Sequence, residues 1–437
     1  MNVRQYIAAI DQVDSIKRYG KVSRAVGLMI ESLGPEANIG DVCLIHRPTN
    51  GKAVMAEVVG FSDEKLILMP YAQATEIGPG CLVESTGKAL TVKVGRGLIG
   101  QVVNSLGECL NDSKLPKGLT SYLTEQSPPN PLTRPPISEP IQVGIKAIDA
   151  MLTVGKGQRV GIFAGSGVGK STLLGMMARN SSADINVIAL IGERGREVRE
   201  FIDRELGKEG LKKSVVVVAT SDQPALMRIK GAYTATAISE YFRDLGFDVN
   251  LLMDSVTRVA TAQREVGLAT GEPPTTKGYT PSVFAALPKL LERTGTSSKG
   301  TITAFYTVLV DGDDLNEPIA DSVRGILDGH FILDRKLAEQ GQFPAINILK
   351  SISRVMSNIV SDDHLEAAQQ IRELMATYDE NSELIQIGAY KRGTNQVIDR
   401  AISYHPKIQA YLKQGISDYH SLDASINQMK TLLNGGA

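Results

Sequence analysis

The spacing of hydrophobic residues changes along the chain and divides it into segments. Within residues 1–18 apolar side chains recur at helical spacing, which predicts a short N-terminal amphipathic helix. Those side chains are Val3, Tyr6, Ile7, Ile10, Val13 and Ile16. Such a helix either packs on its own domain or docks a partner, and the pattern leaves both open.

Short β-prone runs follow the predicted helix. Runs such as DVCLIHR and KAVMAEVVGF are separated by Gly, Pro and Asn. Closely spaced strands with turn signals predict a small β-barrel over residues 19–95.

The rest of the chain shows two further patterns. A proline-rich stretch at 127–140, SPPNPLTRPPISEP, predicts a stiff extended connector. Continuous apolar runs such as NVIALIG, SVVVVAT and DVNLLMD alternate with helical patterns, which predicts a parallel α/β sheet in a domain of residues 96–357. Beyond it the β signal fades, and amphipathic patterns predict a helical domain at 358–437.

Composition narrows the class of protein. The chain has 437 residues, enough for about three domains. A formal net charge of −1 gives no overall basic field for nucleic acid. The three cysteines, Cys43, Cys81 and Cys109, form no CxxC pair, so we expect reduced thiols in a cytosolic protein. We expect neither a secretory signal nor a membrane span, so any membrane contact is peripheral.

One motif predicts a phosphate-binding loop. The strand RVGIFAG runs into AGSGVGKSTLLGMMA, a glycine loop followed by lysine, serine and a helix. The glycines let backbone N–H groups turn toward an anion, Lys170 supplies charge for the β and γ phosphates, and the Ser171 hydroxyl suits Mg²⁺. Ala164 replaces the usual first glycine, which we expect to cost turn freedom. The predicted nucleotide-binding residues are Gly165, Ser166, Gly167, Val168, Gly169, Lys170, Ser171 and Thr172.

Acidic residues near the ends of two other predicted strands are candidates for the chemistry. Asp254 ends DVNLLMD, as a magnesium ligand does, although a helix N-cap is the alternative. The next residue is Ser255 rather than glutamate, so the base must come from elsewhere. Glu193 in NVIALIGERGRE is our candidate for polarising water, and Glu197 for supporting the hydration shell of the metal. The alternative is a solvated charge cluster with nearby arginines.

Long ordered motifs give a family resemblance. GSGVGKS, IGERGREVREF, LLMDSVTRVATAQREVGLATGEPP and GTITAFYTVLVDGDDLNEPIADSVRGILDGHFILDRKLA resemble the catalytic subunits of the rotary ATP synthase superfamily. The resemblance runs from about residue 20 to the C-terminus and is greatest to the flagellar-type ATPase of the type III protein export apparatus. It implies an α/β fold: a RecA-like parallel-sheet P-loop NTPase domain with an N-terminal small β-barrel and a C-terminal α-helical domain.

The resemblance also implies residue roles in an Mg²⁺-dependent ATPase that forms a homohexameric ring. Phe343 stacks on adenine, unless it is a core aromatic, and Arg354 is a finger reaching a neighbour's γ-phosphate, unless it is an ordinary interface salt bridge. The remaining roles are phosphate and metal binding by Lys170 and Ser171, the catalytic carboxylate Glu193, metal binding by Asp254, and Arg194 and Arg258 near the site.

Partners and location follow from the resemblance alone. It implies a peripheral regulator bound by the N-terminal segment, a central coiled-coil stalk, export chaperones with their substrates, and a membrane export gate. The protein is then cytoplasmic, at the inner face of the cell membrane. The main rival is a virulence (injectisome) type III secretion ATPase, followed by a rotary synthase catalytic subunit and a non-hydrolysing scaffold. An RNA-translocating hexamer is disfavoured, because the predicted barrel offers only Phe61 and Tyr71 as aromatic platforms and no basic stripe.

Overall fold

The fold comes from a computed structural model of the chain. It describes residues 18–49, 51–111, 114–310, 312 and 314–434. Apart from Arg18, the predicted helix at 1–18 lies outside the described residues.

The N-terminal segment forms a closed barrel with strand order β1-β2-β5-β4-β3-β6. Alternating residues such as Val22, Ile45 and Leu68 fill its interior. Its strands are β1 (Tyr19–Val26), β2 (Met29–Leu33), β3 (Asp41–Ile45), β4 (Val54–Ser62), β5 (Lys65–Pro70) and β6 (Leu82–Ala89).

The chain leaves the barrel through a short two-stranded sheet and the proline-rich stretch. Strands β7 (Thr91–Val94) and β9 (Thr120–Leu123) pair with each other, whereas β8 (Val102–Asn104), between them, joins the edge of the central sheet. In the connector, the Arg134 guanidinium donates to the carbonyl of Thr294 at 2.9 Å and to that of Glu292. The connector is therefore tied to the nucleotide-binding domain described next.

The central domain contains a large sheet with strand order β19-β18-β12-β17-β15-β13-β14-β8, in which only β19 is antiparallel to its neighbour, and the short β16 adds an antiparallel pair with β17. Every residue of β13 and β14 is buried, as expected for strands covered on both faces. The remaining strands are β10 (Pro140–Ile141), β11 (Val154–Gly155), β12 (Arg159–Ala164), β13 (Ile185–Ile191), β14 (Ser214–Ala219), β15 (Asp248–Asp254), β16 (Gly295–Thr296), β17 (Thr301–Leu309), β18 (Gly329–Leu333) and β19 (Ile352–Ser353).

Helices cover both faces of the sheet. In chain order they are α1 (Lys146–Met151), α2 (Lys170–Asn180), α3 (Gly195–Glu200), a π-helical turn (Phe201–Leu206), α4 (Gly207–Lys212), α5 (Ala225–Asp244), α6 (Val256–Ala269), α7 (Pro281–Leu291), α8 (Pro318–Ile326), α9 (Arg335–Glu339) and α10 (Met356–Ile359). Short 3₁₀ turns lie at Arg96–Leu98, Pro131–Thr133 and Thr276–Gly278.

The C-terminal domain is helical, with α11 (Asp362–Glu380), α12 (Ser382–Gln386), α13 (Gln396–Leu412) and α14 (Leu422–Leu433). Its apolar residues share one core with α1 and α2. The Gln414 side chain accepts from the backbone N–H of Lys146 at 2.9 Å and donates to the carbonyl of Gly144 at 2.8 Å. The helical domain is therefore anchored on the face of the sheet that carries the phosphate loop helix.

Candidate active site

The predicted phosphate loop lies between β12 and α2. Ala164 is the last residue of β12 and has strand neighbours on both sides, Leu309 and Leu333. An extended backbone suits alanine, so the expected loss of turn freedom at this position does not arise. The positive φ angles fall instead at Gly167 (78°) and Gly169 (89°), where only glycine is free of strain.

Lys170 begins α2 and lies between two carboxylates. Its Nζ donates to Oδ1 of Asp254 at 2.6 Å and lies 3.6 Å from Oε1 of Glu193. Burial by itself lowers the pKa of Lys170, but the attraction of these carboxylates outweighs burial and the net pKa is raised. The lysine is therefore positively charged and suited to bind an anion.

Asp254 is the final residue of β15, next to β13 and β17 in the sheet. Its side chain is only 3% exposed, and its Oδ1 also accepts from the hydroxyl of Thr307 at 2.7 Å. The N-cap of α6 is the next residue, Ser255, whose hydroxyl accepts from the N–H of Arg258 at 3.3 Å. Asp254 is thus not the helix cap that was the alternative from sequence.

Glu193 follows the end of β13 at the same edge of the sheet, and its side chain is 17% exposed. Burial raises the pKa of Glu193 to about 7, and the nearby charge of Asp254 adds to the shift. Glu193 also forms a side-chain hydrogen bond with Glu197, which lowers the pKa of Glu197. Of the two carboxyls, Glu193 is therefore the one that gains a proton first as pH falls, and Arg194, Arg196 and Arg199 around them are exposed.

Two arginines from the predicted site lie beside Glu193. Arg194 precedes α3, and its carbonyl accepts from the N–H of Val198 at 3.0 Å. Arg258 is exposed in the first turn of α6, with its side chain against Gly192, where an added Cβ would lie 2.7 Å from the Arg258 Cβ. Both positions border Glu193.

Phe343 lies next to the phosphate loop. Its ring carbons would be 3.5 Å from a Cβ placed on Gly169, and the residue is 45% exposed, which does not fit a core aromatic. The carbonyl of Phe343 accepts from the N–H of Gln414 at 2.9 Å, so the C-terminal domain fixes this segment.

Arg354 lies near the amino-terminal ends of the parallel strands, whereas Lys170 lies near their carboxyl-terminal ends. Its N–H donates to the carbonyl of Asp328 at 3.0 Å, and the N–H of Asp328 donates to the carbonyl of Arg159, the first residue of β12. The phosphate loop follows Ala164, the last residue of that strand. Strand β12 spans about 17 Å between these two ends at roughly 3.3 Å per residue, so exposed Arg354 and Lys170 lie toward opposite ends of that strand.

Sequence reasoning missed Thr307 and Gln414. Thr307 is the second threonine in the apolar run TAFYTVLV, and a polar residue in a largely buried strand is a usable signal. Its partner, however, depends on β17 lying beside β15, which the sequence does not state. Gln414 carries no comparable signal, because a glutamine after a helix is ordinary.

A strand, glycine loop and lysine-led helix on a parallel sheet, with carboxylates at the neighbouring strand ends, define a RecA-like P-loop nucleotide-binding protein. Family models agree: the "ATP synthase alpha/beta family, nucleotide-binding domain" matches residues 144–353 and the "beta-barrel domain" of that family matches 22–87. A third model, the "T3SS EscN ATPase C-terminal domain", matches 360–431.

Individual relatives show which members of this family the chain is similar to. The chain is 65% identical over 433 residues to the flagellum-specific ATP synthase of Bacillus subtilis, covering 99% of both chains. It is 49% identical over 398 residues to the type 3 secretion system ATPase of Xanthomonas euvesicatoria, covering 91% of this chain and 90% of that one. This chain belongs to the ATP synthase alpha/beta family.

Solved structures confirm the fold class predicted from sequence. The assembled ATPase EscN from the enteropathogenic E. coli type III secretion system is 46% identical with a TM-score of 0.90, covering 95% of this chain and all of that one. EscN in complex with its central stalk EscO is 45% identical with a TM-score of 0.88 and the same coverage. In the described part of this chain, no helix is long and apolar enough to cross a membrane.

Proposed function

We propose that this chain is the ATPase of a flagellar type III protein export apparatus, which hydrolyses ATP to promote chaperone release, unfolding and export of flagellar substrates. The observation that carries the proposal is Lys170 held between Asp254 and Glu193 beside a glycine loop, in a chain so similar to flagellum-specific ATP synthases. A buried lysine with a raised pKa stays charged, which suits nucleotide phosphates.

ATP binds along the loop and the start of α2. Residues 165–172 bind its phosphates, with Lys170 exchanging its carboxylate partners for the β and γ phosphates. The half-exposed ring of Phe343, next to the loop, stacks on adenine. Arg194 and Arg258 add positive charge at the border of the site.

The oxygen donors near Lys170 suit Mg²⁺. Ser171 is exposed at the start of α2, Asp254 ends β15, and Glu197 is paired with Glu193. Hydroxyl and carboxylate oxygens are the ligands that this small, hard cation prefers. When bound, Mg²⁺ neutralises charge on the phosphate oxygens.

Glu193 is the catalytic carboxylate. Its pKa of about 7 lets it hold or release a proton near neutral pH, as a group that orients and activates water requires. Glu197 takes part by accepting the hydrogen bond that Glu193 donates in its protonated form.

The active unit is a homohexameric ring in which Arg354 serves a neighbour. Its position across the sheet from its own Lys170, and its exposure, support this role, as does the assembled state of EscN. An arginine finger contributes about 10³ to 10⁵ in rate. One chain thus supplies both halves of a site that forms between two copies.

The wider assembly follows the same relatives. EscN forms a complex with its central stalk, and we assign this chain a central coiled-coil stalk partner. Further proposed partners are a peripheral regulator at the N-terminal segment, export chaperones with substrates, and the membrane export gate. We place the protein in the cytoplasm at the inner face of the cell membrane. Nucleic acid is not a proposed partner, since Tyr71 is buried where the barrel packs against α5.

ATP turnover by purified chains tests the proposal. ATPase activity should rise steeply with protein concentration, and Lys170→Ala should abolish nucleotide binding and turnover. Arg354→Ala should still bind ATP at its own Lys170 but hydrolyse almost none. Mixing the two variants should restore some turnover, because the mixed interfaces include complete sites.

Two results would contradict this function. If ATP turnover survives Lys170→Ala, the proposed nucleotide site is wrong. If mixed rings form but stay inactive, the cross-subunit role of Arg354 is wrong. Lys212→Ala, on an exposed ion pair with Glu209, is the matched lysine control and should behave as the parent.

A virulence secretion ATPase is the second candidate. Similarity to the Xanthomonas protein and to EscN supports it, although at lower identity than the Bacillus relative. Deletion in the source organism separates the two: loss of swimming with effector secretion intact supports the flagellar assignment, and the reverse supports the injectisome. A rotary synthase catalytic subunit is less favoured, because one chain carries Lys170, Glu193 and Arg354 together.

A further inference from the structure

A buried threonine contacts the carboxylate at the end of β15. Thr307 is fully buried on β17, and its hydroxyl donates to Oδ1 of Asp254 at 2.7 Å. The carbonyl of Met253 is a longer alternative acceptor at 3.3 Å. Since a hydroxyl has one hydrogen, the shorter bond to the charged carboxylate is the stronger one.

The oxygen that Thr307 contacts is the one that Lys170 also contacts. Asp254 Oδ1 accepts from Lys170 Nζ at 2.6 Å and from Thr307 Oγ1, so both donors lie on one side of the carboxylate. In the proposed function Lys170 turns to the phosphates when nucleotide binds. Thr307 then remains as the neighbour that holds Oδ1 in place.

We propose that Thr307 is a positioning residue for the magnesium–nucleotide complex: its hydroxyl fixes the Asp254 carboxylate by Oδ1, leaving Oδ2 for the metal's ligand shell. This inference rests on the proposed function. It also accounts for a hydroxyl in a strand whose other inward positions are mostly apolar, because a buried hydroxyl is costly unless it forms a hydrogen bond.

Another threonine of the same strand provides a matched control. Thr303 is also fully buried on β17, four residues earlier and therefore on the same face. Its hydroxyl accepts from the N–H of Gly157 at 2.9 Å, near the opposite edge of the sheet from the phosphate loop. Losing this hydroxyl affects packing and hydrogen bonding without touching Asp254.

The test is equilibrium binding of a fluorescent ADP analogue to full-length chain, once with Mg²⁺ and once with EDTA. The ratio of the two affinities is the magnesium gain. Thr307→Val, which keeps the branched shape, should reduce this gain about tenfold, the order expected for one hydrogen bond to a charged group. Binding in EDTA should stay within about twofold of the parent. Thr307→Ser should restore the gain.

Further variants keep the test decisive. If Thr307→Val fails to fold, Thr307→Ala removes the same hydroxyl without adding volume and should show the same loss. Thr303→Val should lower the thermal midpoint while leaving the magnesium gain unchanged. Circular dichroism of each variant checks that the fold is retained.

Several outcomes would overturn the positioning role. A full magnesium gain in Thr307→Val, a deficit of equal size in Thr307→Ser, or affinity lost equally in Mg²⁺ and EDTA each contradict it. Those results leave the proposed ATPase intact as long as Lys170→Ala still abolishes nucleotide binding. If Lys170→Ala binds nucleotide normally, the proposed function itself is what fails.

Discussion

Replacing Lys230 should weaken the junction between the barrel and the nucleotide domain. Lys230 lies on α5 with a side chain only 4% exposed. Its Nζ is 2.7 Å from the Glu57 carboxylate of β4 and also bonds Glu125, just before the connector. The Tyr71 hydroxyl donates to Glu57 as well. One cation therefore balances two acids that come from different parts of the chain.

The size of the effect follows from burial. Lys230→Met keeps the length of the side chain but leaves Glu57, itself about 10% exposed, without its cation. Breaking a buried ion pair by removing one partner costs about 3–5 kcal/mol. Adding Glu57→Gln to the same chain removes the stranded charge, so the double variant should recover most of the loss.

The loss should also depend on pH. Burial raises the pKa of Glu57, and the attraction of Lys230 opposes that rise. Without Lys230 the folded-state pKa stands further above the unfolded value of about 4.3. A folded pKa above the unfolded one means that stability is lost as pH rises. The destabilisation by Lys230→Met should therefore be greater at pH 8 than at pH 5.

Urea unfolding followed by far-UV circular dichroism measures these differences, because the chain has no tryptophan. The quantity compared is the free energy of the first transition at pH 5 and pH 8. Lys212→Met, on an exposed pair with Glu209, is the control and should change it by less than about 1 kcal/mol. A Lys230→Met chain no less stable than this control, or one whose loss does not vary with pH, would refute the reasoning.

Three further predictions concern the active site. kcat/KM should fall about tenfold per pH unit below about 7, where Glu193 gains its proton. Glu197→Ala should shift this acidic fall in kcat/KM to lower pH, because Glu197 raises the pKa of Glu193. If side-by-side pH profiles of parent and variant coincide, the pairing of the two carboxyls is contradicted. Phe343→Ala should weaken ATP binding about tenfold, the order of one lost base stacking contact, with Phe343→Tyr close to the parent in a nucleotide titration. Gly169→Ala places a side chain at φ 89° and should abolish nucleotide binding while the far-UV spectrum is retained; normal binding would show that the loop does not need this conformation.

Much of the fold was predictable because the spacing of apolar residues and the order of the segments along the chain indicate the type of each element. Buried parallel strands such as β13 and β14 have continuous apolar runs, whereas barrel strands alternate, and these patterns survive without any tertiary information. The boundary is less regular than the pattern: β7, inside the predicted barrel range, pairs with β9 instead of a barrel strand, and β8 joins the central sheet through pairing with β14. Three residues of strand carry too little periodicity to reveal such a partner.

The candidate site divides in a similar way. Lys170 and the glycines of its loop form a local motif, because one short segment must present adjacent N–H groups and a charge to an anion. Glu193 and Asp254 could be selected as residues near strand ends, but their approach to one lysine depends on strand order. Ala164 shows a limit of motif reasoning, since its strand geometry makes glycine unnecessary.

By itself the sequence determined the three-part architecture, the phosphate loop and the family, because each depends on residues that are close in the chain or on long ordered motifs. Only the tertiary structure decided which groups meet: Thr307 with Asp254, Gln414 with the carbonyl of Phe343, and Arg354 across the sheet from its own phosphate loop. The physical reason is that sheet order and domain packing bring together residues from distant parts of the chain, and local spacing does not encode those distances.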